Sequence, residues 1–104
     1  MKIELSDEIA VYTGRARGSA DRKRFNLGAI DKQTESVEII VPESTYTMTS
    51  SYFLAVFGDS IRILGRERFL QIYRIKAPPH VSRKIEDWIS RALREKKGLF
   101  GGEI

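Results

Sequence analysis

The sequence predicts an α/β domain with helices packed on a mixed sheet, and three stretches carry that reading. Residues 37–41, VEIIV, form an almost unbroken apolar, β-branched run, as expected of a strand covered on both faces. Behind it Phe53, Leu54, Phe57, Ile61 and Leu64 recur at three- and four-residue spacing, the mark of an amphipathic helix. Phe69, Leu70, Ile72, Tyr73 and Ile75 then read as a second strand, and Val81, Ile85, Trp88, Ile89, Ala92 and Leu93 as the apolar face of a last helix. Strands alternating with helices over short connections imply at least one parallel pairing, between the Val37 and Phe69 strands.

Taken in order, Ile3, Leu5, Ile9 and Val11 alternate with charged or small residues and predict one or two short strands broken at Ser6 and Asp7. Thr13 to Ser19 is a turn with two glycines. Ser19 is placed to cap a helix over residues 19–30, whose Arg22, Lys23 and Arg24 side is expected to be solvated. Pro42 ends the central strand, and a hydroxyl-rich loop leads to Ser50 or Ser51 as the cap of the next helix. Gly65 suits the end of that helix. Pro78 and Pro79 precede a helix over residues 81–97, and Gly98, Gly101 and Gly102 predict a flexible tail over 98–104. The 104 residues, without repeat or linker, are read as one domain over 1–104.

Composition narrows the chemistry. There is no cysteine, so disulfides, thiol nucleophiles and thiolate metal sites are excluded, and His80 is the single histidine through which any triad would have to pass. His80 itself reads as an exposed turn residue, and Trp88 as core. No spacing of Glu4, Asp7 and Glu8 sets two carboxylates across a substrate. The expectation is therefore a protein that is not an enzyme, with no catalytic residue, no metal and no cofactor. No apolar run reaches the ~20 residues needed to cross a bilayer, and the acidic start does not resemble a signal peptide, so a cytoplasmic location is expected.

Eighteen Lys and Arg against fourteen Asp and Glu give a net charge of +4, with a pI near 9.6. Gly14, Arg15, Arg17, Gly18 and Arg22 form a candidate anion site, since a glycine turn entering a helix presents free N–H groups beside cations. Through the turn and helix of Gly14 to Arg24, nucleic-acid or nucleotide binding is the alternative function class, although interleaved Asp21, Glu67, Glu86 and Glu95 favour mixed-charge surfaces. Tyr46, Tyr52 and Tyr73 are read as core or rim.

Several of these residues also carry a pattern. Gly14, Arg15, Gly18 and Arg22, followed by the apolar strand, and Ser51, Tyr52, Phe57 and Gly58 in the next helix resemble the STAS-like family of uncharacterised bacterial domains, distant relatives of the anti-sigma factor antagonists. The resemblance runs from about Val11 to Lys96. It implies a non-enzymatic, regulatory protein-interaction module whose partner is an anti-sigma-type kinase, an ATPase or another regulator. Docking would use the loop and helix start around Thr49, Ser50, Ser51 and Tyr52, with Ser51 in the place of the phosphorylated serine. Where the antagonists read Asp-Ser-Ser-Gly this chain has Thr49, Ser50, Ser51 and Tyr52, and Leu54 and Ala55 stand where the STAS-like helix commonly carries an acidic pair.

Overall fold

The computed structural model describes residues 2–5, 10–33 and 35–103, with side chains as far as Arg94. Strand β1 (Lys2–Glu4) lies beside β3 (Val37–Ile40), and β3 beside β5 (Tyr73–Lys76), all parallel. Two shorter strands, β2 (Val11–Tyr12) and β4 (Thr47–Met48), make a separate parallel pair. The helices are α1 (Arg15–Arg24), α2 (Leu27–Ile30), α3 (Ser50–Leu64), α4 (Arg66–Ile72) and α5 (Pro79–Glu103). The α/β class is thus present, and every strand pairing among the described residues is parallel, including the expected one between the second and last strands of the larger sheet.

Its strands advance in one direction, β1-β3-β5. Right-handed crossovers in such an order put their helices on one face of the sheet. The burial of β3 agrees: Val37 and Ile39 are buried, while Glu38 and Ile40 are half-buried. Coverage of both faces, expected from the apolar run, is therefore corrected to coverage of one. On the other face Glu38 pairs with Lys76 at 2.8 Å, and that hydrogen-bonded ammonium holds the carboxyl below its ordinary range. The progressive order also means that this sheet has no reversal point, the place where open α/β sheets form a ligand crevice.

The core is a single cluster centred on α3. Phe53 meets Phe57 and Trp88, with ring centroids 5.0 and 4.9 Å apart, and Phe57 reaches Phe69 of α4 and Tyr73 of β5 at 5.9 and 5.8 Å. Trp88 is core, as expected. Residues 66–72 form a helix rather than the start of a strand. Phe69 and Ile72, three positions apart, are both buried while Leu70 is exposed, so the run satisfies a helical period before Tyr73 turns extended. Gly65, at φ +82°, ends α3 and starts α4 with a backbone conformation that residues with a Cβ rarely adopt.

The first helix differs from expectation at both ends. Gly14, at φ +88°, sets its start, so α1 begins at Arg15 and Ser19 lies inside it. Asn26 then takes a left-handed conformation and divides the expected 19–30 helix into α1 and α2. The last helix starts earlier than expected, at Pro79, in keeping with the preference of proline for a first helical turn. It also runs on to Glu103 instead of ending at residue 97, so residues 98–103, expected as a tail, are helical, and residue 104 lies outside the described residues.

Candidate functional site

The parallel pair β2-β4 places two helix starts side by side. Tyr12 and Met48 are register partners, Thr49 N–H donates to the Tyr12 carbonyl at 2.9 Å, and each strand runs within two residues into its helix. Helices α1 and α3 then travel together. Gly18 packs at Tyr52 and Ala55, and one turn later Arg22 donates to the Val56 carbonyl and to Ser60, both at 2.8 Å. The two N-termini therefore open at the same end of the molecule.

At the α3 start the cap is Thr49, not Ser50 or Ser51. Thr49 is extended, and its Oγ1 accepts from Tyr52 N–H at 3.3 Å. This frees Ser51, whose Oγ lies 3.2 Å from Thr49 Oγ1 on an exposed surface; Ser50 is half-buried. Thr49→Ala is expected to cost about 1 kcal/mol through loss of the cap, and Ser51→Ala less than about 0.5 kcal/mol, as at other surface sites. Urea unfolding of the two variants checks the difference; equal losses would reverse the assignment.

Tyr52 is a correction. It is fully buried, its ring 5.4 Å from that of Tyr12, and its hydroxyl donates to Asp21 Oδ2 at 2.7 Å. A side chain held in this way offers nothing to a docking partner, and its role is to fasten α3 to α1 and β2. The candidate anion set also divides. Gly14, Arg15 and Arg17 are exposed at the α1 start. Gly18 is instead a contact glycine, because a Cβ there would lie 2.6 Å from both the Ala55 Cβ and the Tyr52 carbonyl oxygen. Arg22, expected on a solvated side, turns inward, its side chain 16% exposed against an Asp31 side chain 2% exposed.

Arg22 belongs to a buried polar network that the sequence does not announce. Its guanidinium donates to Asp31 Oδ2 at 3.0 Å, Ser60 donates to the same oxygen at 2.9 Å, and Tyr73 donates to Asp31 Oδ1 at 2.6 Å. A largely buried charged pair persists only when its remaining donors and acceptors are satisfied, as here. The only hint in the sequence is a charged residue, Asp31, directly after the buried Ile30.

Burial, reinforced by Asp21, pushes the Tyr52 hydroxyl far above its ordinary 10.0. Burial does the same for Tyr73, with Asp31 adding to it and Ser60 opposing it. Both tyrosines stay protonated in the fold where an unfolded chain ionises, so the unfolded state releases protons that the native state keeps. Stability is thus intact below the ordinary tyrosine value and falls as pH rises through and beyond it. Near-ultraviolet tyrosinate absorbance followed alongside circular dichroism is expected to show part of the ionisation coinciding with helix loss; complete ionisation with the helices intact would contradict the burial.

His80 lies in the first turn of α5, half-buried, with Nε2 enclosed and without a hydrogen-bond partner, which corrects its reading as an exposed turn residue. Among the described residues no group of three or more His, Cys, Asp or Glu side chains is placed to hold a metal ion, and no helix is long and apolar enough to cross a membrane. No protein-family model matches this chain, and no curated protein and no solved structure matches it either.

Proposed function

We propose that this chain is a non-enzymatic STAS-like interaction module, cytoplasmic and regulatory, that docks a protein partner at the α3 start. The partner class is an anti-sigma-type kinase or ATPase, or another regulator. The observation that supports this reading best is the contrast between neighbours: Tyr52 is locked in the core by Asp21, while Ser51 projects from the same turn into solvent. The surface around Ser51 is therefore carried on a rigid base, with Gly14, Arg15 and Arg17 exposed at the adjoining helix start.

A phosphoryl group on Ser51 would bring nearly two negative charges to a helix N-terminus, where the helix dipole favours them. The same charges would repel an acidic partner surface. Ser51→Glu is expected to lose the partner that the wild-type and Ser51→Ala proteins retain in affinity capture from cells that naturally make the protein. Equal capture by all three would overturn the docking site.

Nucleic-acid binding is the weaker alternative. Arg24, Arg62, Arg66 and Lys76 each pair with a carboxylate, and Arg22 is turned inward, which leaves fewer cations for phosphates than the net charge suggests. A salt-sensitive shift of a labelled oligonucleotide, lost in Arg15→Glu with Arg17→Glu, would favour it over docking.

A further inference from the structure

The surface of α3 that begins at Ser51 continues at four-residue spacing through Ala55 and Asp59 to Ile63, all outside the core. Beside it runs a groove in two lobes of about 400 and 590 Å³, the first walled by α1 and α3, the second by α2 and the end of α3. Both lobes are lined by Asn26 and Gly28, which form the saddle between them.

Gly28 has no structural reason to be glycine. Its φ is not positive, and a Cβ at this position would meet no atom within 4 Å. Glycine in a helix costs about 1 kcal/mol relative to alanine, and what it leaves here is open space at the centre of the groove.

The groove walls are chemically one-sided. Asp31 is neutralised by Arg22 and Asp59 by Arg62, whereas Lys23 and Lys32, one in each lobe, have no carboxylate partner among the described residues. Ile63, 67% exposed, stands at the second lobe.

We propose that this groove binds an acidic segment of a partner protein, with an apolar side chain of that segment seated over Gly28 against Ile63 and its carboxylates facing Lys23 and Lys32. Charge complementarity, with Lys23 and Lys32 beside Gly28, Ala29 and Ile63, suits such a peptide better than a nucleic acid, which would need several phosphate contacts. The inference rests on the docking reading, since it extends the Ser51 surface along α3 and gives its partner a chemistry.

The test uses a fluorescein-labelled peptide of glutamate pairs separated by leucines, with a lysine-for-glutamate counterpart, followed by fluorescence polarisation on the whole protein. The acidic peptide is expected to bind and the basic one not. Gly28→Phe, which fills the saddle, and Lys23→Glu with Lys32→Glu are each expected to weaken binding by roughly tenfold or more. Arg83→Glu with Lys84→Glu, the same charge change on α5, is expected to leave it within about twofold. Gly28→Ala serves as the folding control and is expected to melt no lower than wild type. No binding of the acidic peptide, binding unaffected by Gly28→Phe, or equal loss in the α5 variant would overturn the proposal, as would a single-stranded oligonucleotide that binds in place of the peptide. Loss of the cellular partner in Ser51→Glu together with no peptide binding would reject the groove alone. Peptide binding with no Ser51→Glu effect on the cellular partner would reject the Ser51 docking site.

Discussion

Asp31→Ala is expected to cost about 3–5 kcal/mol, the range for removing one partner of a buried ion pair. The substitution removes the acceptor of three hydrogen bonds, from Arg22, Ser60 and Tyr73. The largely buried Arg22 guanidinium is left with the Val56 carbonyl and Ser60 as its remaining hydrogen-bond partners. Against a total stability of about 5–15 kcal/mol, that is a large share. In a domain of this size it lowers Tm by roughly 15 °C or more. Asp31→Asn keeps the shape and one acceptor oxygen, and is expected to lose about half as much. Calorimetry of the three proteins checks the order; an Asp31→Ala loss under about 1 kcal/mol would mean that the pair is solvated rather than enclosed.

Gly18→Val is expected to cost about 3 kcal/mol, and Gly18→Ala about half of that. Alanine is worth about 1 kcal/mol over glycine in a free helix, so a neutral reading of the sequence predicts stabilisation. The geometry reverses the sign. A Cβ would lie 2.6 Å from the Ala55 Cβ, which adjusts only with its helix, and 2.6 Å from a backbone oxygen of Tyr52. Relief requires α1 and α3 to separate, which stretches the Arg22 and Tyr52 hydrogen bonds that join them. Overpacking of this kind costs about 1–3 kcal/mol or occasionally more, enough to outweigh the helix preference. Chemical denaturation of Gly18→Ala and Gly18→Val decides the matter, and a more stable Gly18→Ala would contradict the close helix approach.

Periodicity made the larger pattern legible. The Val37 run, the α3 stripe and the Trp88 helix have enough length for a strand or helical period to stand out, and the parallel pairing of β3 with β5 followed from their alternation. Short segments were harder to read. Phe69, Leu70 and Ile72 suit either period, and only burial beneath Phe57 and Tyr73 selects the helix. The glycines at 14 and 18 look alike in sequence, yet one sets a positive φ and the other admits a neighbouring helix. At the α3 start, Ser51 is exposed and the expected cap passes from Ser50 or Ser51 to Thr49, since one hydroxyl-rich loop offers three equivalent caps. Tyr52 and Gly18 were misassigned because their partners, Asp21 and Ala55, depend on the parallel run of α1 and α3, and Arg22 because the left-handed turn at Asn26 brings Asp31 back beside it; no local pattern records either.

Ser51 stands on a turn anchored by the buried Tyr52, and site-directed photocrosslinking tests it as a docking point most directly. A benzophenone side chain introduced at Ser51, in cells that naturally make the protein, is expected to capture a defined protein adduct, and the same group at Lys84 on α5 is expected not to. An adduct pattern identical at the two positions, or none at Ser51, would contradict a docking surface there.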